Sequence, residues 1–207
     1  MLKSLFGKGY YFFFRAWRRV QGLIDLRKPI LGFCGKGVVI HPSAVLPNPL
    51  SIFIGDGTHI WDHSFLGTYF NGQIHVGTNS IINSYARLNA YEGNIKVGKD
   101  STLNEFSLIS CGGGGVVIGN GVRIGAHTMI VASNHATEDR ETPIWRQGII
   151  SEGVIIHDGV WIGSNVVVLD GIEIGEGTII GAGSVVTKDI PPYSVAVGVP
   201  VKVLRQR

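Results

Sequence analysis

"IGDGTHIWDHSF", residues 54–65, sets a rhythm of six: an aliphatic residue opens each unit, glycine often follows, and a small or β-branched residue takes the fifth place. Six groups of three aliphatic positions carry it along the chain: Ile54, Ile60, Leu66; Val76, Ile82, Leu88; Val97, Leu103, Ile109; Ile118, Ile124, Ile130; Ile156, Ile162, Val168; Ile174, Ile180, Val186. A period of six is neither the 3.6 of a helix nor the two of a simple strand, so each unit is a short extended stretch followed by a turn. Three units return the chain to its start. Successive coils then stack through parallel ladder hydrogen bonds about 4.8 Å apart, with the aliphatic residues in columns inside a triangular prism. Glycine follows the aliphatic residue in nine of the 18 units, which predicts corners at positive φ.

The fifth place separates the three sides. In the first two units of every group it is Ser, Thr, Ala or Val: Thr58, Ser64; Ser80, Ala86; Ser101, Ser107; Val122, Thr128; Val160, Val166; Thr178, Ser184. In the third units it is Phe70, Glu92, Gly113, Asn134, Ile172 and Ile190, which break the pattern. The steps from one group to the next are 10, 9, 9, 26 and 6 residues where a perfect coil needs six. Every extra residue therefore leaves the prism on one side, and the largest excursion, 134–153, lies within "VASNHATEDRETPIWRQGII" (131–150) and the residues that follow it. Insertions in a solenoid map to loops on one face, often the working face.

Composition agrees with an all-β fold. Of 207 residues 30 are glycine and only 16% are charged, and Ile and Val are abundant. The organisation read from the sequence is a basic aromatic segment at 1–30, the solenoid at 31–190 and a tail at 191–207. Residues 1–30 hold Lys3, Lys8, Arg15, Arg18, Arg19, Arg27 and Lys28 against Asp25 alone, a balance of +6 within a chain of net +3. Leu2, Phe6, Tyr10, Phe13, Trp17, Gln21 and Ile24 follow a helical spacing there, with Gln21 the one polar interruption. This short amphipathic helical segment suits a cap on an open sheet edge or a peripheral contact with an anionic membrane. Its longest apolar run, Tyr10 to Phe14, is far short of the roughly 20 residues that span a bilayer. Cys34 and Cys111 are too few for a disulfide framework, and with no secretory leader read ahead of them the expected location is the cytoplasm, with the inner membrane face as an extension.

The segment "VWIGSNVVVLDGIEIGEGTIIGAGSVVTKDIPPYSVAVGVPVKV", residues 160–203, closely resembles the carboxyl half of hexapeptide-repeat acyltransferases, and in particular the maltose and galactoside acetyltransferases. The aromatic basic start and "SNH…PI…QG" look more like acetyltransferases of surface-polysaccharide clusters. The resemblance implies a left-handed parallel β-helix, an exception to the usual right-handed crossover. It also implies a homotrimer with sites in the clefts between subunits, acetyl-CoA as acyl donor, a sugar or glycan acceptor, and no nucleic acid partner or metal.

The implied reaction is direct acyl transfer from a thioester, and a sugar hydroxyl needs a group to accept its proton as it attacks, a task that suits imidazole. Of seven histidines, His135 alone joins the irregular side, the long insertion and the family motif. Asn104 matches an asparagine that faces the acceptor in the family, although Asn83 and Asn89 occupy the same place and all three also fit turn corners. Glu138 and Trp145 are candidates for the acceptor side and lid. The resemblance carries Trp161, Ser164, Ala182, Thr187, Lys188, Lys202 and Arg205 onto acetyl-CoA contacts, the three cations suiting phosphates.

Three alternatives stand beside this. A sugar N-acetyltransferase shares every feature named. A γ-carbonic-anhydrase-like metalloenzyme shares the prism but needs two closely spaced histidines and a third from another coil; His127 and His135 are eight apart and match no such motif. A non-catalytic scaffold docking through residues 1–30 leaves the His135 insertion without a purpose.

Overall fold

A computed structural model describes residues 30–207; the helical segment read at 1–30 lies outside them but for Ile30. The architecture is the all-β, left-handed parallel β-helix expected, with three sheets wrapped around one core. The first sheet runs Phe33–Cys34, Ile52–Ile54, Ile74–Val76, Ile95–Val97, Val116–Ile118, Val154–Ile156, Glu173–Ile174. Beside it lie a second sheet, which begins at Val39–Ile40, and a third, which begins at Phe65–Thr68. All pairings within the coils are parallel and in register, for example Ile54 with Val76 and Leu88 with Ile109.

All 18 repeat aliphatics are buried, none more than 4% exposed. The twelve fifth-place residues are buried too, and their chemistry goes beyond size. Thr58, Ser80, Ser101, Thr128 and Thr178 each donate a hydroxyl to a carbonyl of the next coil at 2.7–2.9 Å. Each such buried bond contributes on the order of 1 kcal/mol and fixes the height of one coil on the next.

Two expectations change. The glycines that directly follow the aliphatic residue have no positive φ. They are required by close approach instead: a Cβ on Gly55, Gly98 or Gly163 would lie 2.4–2.7 Å from backbone of the coil above. Positive φ belongs two residues later, at Gly57, His63, Asn79, Tyr85, Asp100, Phe106, Gly121, His127 and their counterparts. Residues 191–207, read as a tail, also extend the prism. Ser194–Val197 pairs in parallel with Ile179–Ile180 as one more coil, and Lys202–Gln206 folds back antiparallel across it. An antiparallel last strand covers an edge that would otherwise be open.

Candidate functional site

The third side behaves as its spacings foretell. Where coils are joined with extra residues, the fifth-place residue is outside, as with Phe70 at 78% exposure; where the step is short or absent, Ile172 and Ile190 turn inward. The insertion leaves after the strand Met129–Ala132 and returns at Val154–Ile156. Its base is pinned at three points. Ser151 Oγ donates to Ala132 O at 2.6 Å and accepts from Gly114 N at 3.0 Å. The Asp170 carboxylate accepts from the backbone of Glu152 and Gly153 at 2.8–3.1 Å. Neither Ser151 nor Asp170 belongs to a motif in the sequence; the Asp170–Gly171 pair directly after an aliphatic run is the one signal of this anchor.

His135 lies in the two-residue strand Asn134–His135, paired antiparallel with Ile149–Ile150. It is exposed, and among the described residues no hydrogen bond engages its ring. Other histidines are occupied: His41 Nδ1 meets Ser43 Oγ at 2.9 Å, His157 Nε2 meets Glu173 Oε1 at 2.6 Å, and His75 stacks on Phe53 at 4.4 Å. His63 and His127 end a ring ladder with Tyr85 and Phe106, each step 4.9 Å. The nearby carboxylates serve the insertion itself. Glu138 accepts from Thr137 N at 3.0 Å, and Asp139 accepts from Glu141 N at 2.9 Å, bonds from Thr142 and Glu141 holding its carboxyl below the usual range. At the tip, Trp145 is 70% exposed with the Arg146 guanidinium 4.6 Å from its ring centre.

Asn104 is not a positive-φ corner residue, so the turn reading of it falls. It sits in the backbone column of Gly125 and Gly163, its N–H donating to Ile124 O, and its Oδ1 accepts from Asn83 Nδ2 at 2.9 Å. Ser164 and Ala182 stand at the same edge on later coils, Gly183 N donating to Ser164 O at 2.9 Å. Trp161, 56% exposed, shares the outer face of the second sheet with Arg205 through the register Trp161, Ile179, Val195, Arg205. Lys202 pairs with Val197 on that hairpin. Thr187 and Lys188 follow Val185–Val186 at the far edge of the third sheet, the edge from which the insertion springs.

The candidate residues thus divide between two edges of one prism. Asn104, Ser164 and Ala182, with Trp161 and Arg205 beside them, mark one edge; His135, Glu138, Trp145, Thr187 and Lys188 mark the other. The third sheet separates the two edges. Among the described residues no three of His, Cys, Asp or Glu are grouped so as to hold a metal ion.

Residues 153–188 match the family described as bacterial transferase hexapeptide (six repeats). A Mycobacterium tuberculosis protein named "Probable acetyltransferase Rv3034c" is 32% identical over 180 residues, 84% of this chain and 50% of its own length. Galactoside O-acetyltransferase of Escherichia coli is 45% identical over 53 residues, 26% of each chain. The chain therefore spans half or less of these relatives. A solved variant of AntD, an N-acyltransferase from Bacillus cereus in complex with dTDP-4-amino-4,6-dideoxyglucose and coenzyme A, is 25% identical with a TM-score of 0.58, covering 88% of this chain and 87% of its own.

Proposed function

We propose that the chain, whose residues 153–188 match the bacterial transferase hexapeptide family, moves an acetyl group from acetyl-CoA to a sugar hydroxyl, with His135 as general base. The observation that carries this reading is the division of the candidate residues between two edges. Neither edge is a site alone, and two copies standing side by side bring the His135 edge of one against the Ser164 and Ala182 edge of the next. The assembly proposed is a homotrimer with three such clefts.

In the cleft, the smooth column at Gly163, Ser164 and Ala182 accommodates the narrow pantetheine arm of acetyl-CoA. A side chain at Gly163 would strike Ala182 N at 2.6 Å, so the groove floor stays backbone. Lys188, Lys202 and Arg205 meet its phosphates as cations. His135 takes the proton from the acceptor hydroxyl as its oxygen attacks the thioester carbonyl. The tetrahedral adduct collapses, the C–S bond breaks, and the imidazolium returns the proton to the leaving thiolate. Asn104, its carbonyl held by Asn83, turns its N–H donors to the acceptor, and Trp145 closes over it.

The proposed setting is surface polysaccharide synthesis in the cytoplasm, with residues 1–30 touching the inner membrane face through their +6 balance. A second reading, N-acylation of an amino sugar, is favoured by the likeness to AntD. Labelled acetyl-CoA incubated with sugars, amino sugars, nucleotide sugars and lipid-linked glycans, read by mass, decides between them. An ester product that hydroxylamine cleaves supports O-transfer, an amide supports N-transfer, and no transfer to any acceptor overturns the enzyme reading.

A further inference from the structure

The carboxamide of Gln147 makes three hydrogen bonds inside the insertion. Asp139 N donates to its Oε1 at 3.0 Å, and its Nε2 donates to Asp139 O and to Thr142 O, both at 2.7 Å. Gln147 also starts the return arm. Its own N–H closes the 3-10 turn Ile144–Arg146 on Ile144 O at 3.0 Å, and its successor Gly148, at φ +93°, accepts from Ala136 N at 3.2 Å. One rung further, Ile149 pairs with His135.

Within 134–150 three residues are half-buried, Ala136, Thr142 and Gln147, and the other fourteen are exposed. The segment has no apolar centre of its own, and a ladder of two paired residues does not persist in water by itself. The Gln147 amide fills that gap: it is bonded on both ends to the turn 139–142 and sits one peptide from the rung that holds Ala136.

We propose that Gln147 is a positioning residue, a clasp that keeps the two arms of the insertion in register and so fixes where His135 is presented. This rests on the reading of His135 as base. The clasp acts through the backbone, so the proton-accepting chemistry of His135 itself is unchanged by it.

Two substitutions test it on the full chain. Gln147→Met keeps length and volume without any donor or acceptor of comparable strength; Gln147→Glu keeps the acceptor for Asp139 N but loses both donations and sets a carboxylate near that of Asp139. Trypsin cleavage after Arg140 and Arg146, followed by mass, reports the clasp, and acetyl-transfer kinetics report its consequence. Expected in both variants are cleavage about tenfold or more faster, as the three bonds lost in Gln147→Met and the two lost in Gln147→Glu favour local opening, and kcat lower by about tenfold or more, with the pH midpoint of activity and the thermal midpoint of the solenoid as in the parent. Unchanged cleavage overturns the clasp, even if activity falls. Faster cleavage with unchanged kcat overturns the link to His135. A parent protein without transfer activity removes the His135 reading and with it the catalytic half of the proposal, while cleavage still decides the clasp.

Discussion

Residues 116–132 and 134–150 are adjacent, equal in length and built on opposite principles. In the first, Val116, Ile118, Val122, Ile124, Thr128, Ile130 and Ala132 are buried, and all but Ala132, which is matched only by Cys111 below, lie in columns that coils above and below repeat. In the second no residue is buried, and single side chains, Gln147, Ser151 and Asp170, hold the shape. A coil is determined many times over by its neighbours. The insertion has no such redundancy, so its sequence is free to carry chemistry and its geometry depends on a few polar contacts.

If that contrast holds, the largest functional effect without a structural one belongs to the insertion. His135→Ala should lower acetyl transfer by about 10²–10⁴-fold, the usual worth of a general base. Its exposed ring touches no described residue by hydrogen bond, so the thermal midpoint should stay within error of the parent. Steady-state kinetics beside calorimetry checks both, and a parental rate in the variant ends the proposed mechanism. The converse belongs to the prism. Ile162→Ala removes a fully buried side chain and should cost about 2–5 kcal/mol in denaturant unfolding. Because the column continues through Ile124 below and Ile180 above, the remaining folded fraction should keep its specific activity.

The same contrast explains what the sequence made legible. Periodicity exposes anything repeated: the 18 aliphatic positions, the twelve small residues and the side on which the chain departs are visible because each is stated many times. Identity within the period was harder. Ser80 and Ser101 read as small residues, yet each also bonds the coil above and accepts from it, Ser101 N to Ser80 Oγ at 3.1 Å and Val122 N to Ser101 Oγ at 3.0 Å. Glycine after the aliphatic residue was assigned to positive φ because composition cannot tell a dihedral need from a lack of room. In the insertion, His135 was marked by motif and context. Gln147 falls in the same motif and beside Trp145 as part of a candidate lid, but its individual role is not legible, since its partners at 139 and 142 are set by a turn that no period announces.

Two glycines sharpen that distinction. A Cβ on Gly163 would stand 2.6 Å from Ala182 N and 2.9 Å from Ala182 Cα, whereas one on Gly121, at φ +65°, would meet nothing within 4 Å. The equivalent places in lower coils hold Asn79 and Asp100 at φ +54° and +56°, so the backbone there tolerates a side chain at a strain of about 1–2 kcal/mol at most. Gly121→Ala should fall near the lower end of that range. Gly163→Ala forces backbone apart between coils and should cost more, about 2–3 kcal/mol, with a correspondingly larger drop in thermal midpoint. Equal effects would mean that room between coils is not what selects glycine after the aliphatic residue.

The smallest effect concerns the prism wall beneath the insertion. Cys111 is fully buried in Leu108–Cys111, paired with Ala132, whose carbonyl accepts from Ser151. Burial pushes its thiol up to about 11. Thiolate is the species that alkylates, and a raised pKa means less thiolate at any lower pH. At pH 8 only about one thiol in 10³ is ionised on that value, against roughly one in four for a free cysteine. Iodoacetamide at pH 8 should therefore leave Cys111 unmodified in the native protein and label it after denaturation, with peptide mass as readout. The Gln147→Met variant should behave identically, because loosening the insertion leaves the coil below it packed. Native labelling of Cys111 in the parent, or only in that variant, would show that the wall opens with the loop it carries, and the division between a redundant prism and a singly pinned insertion would no longer hold at their junction.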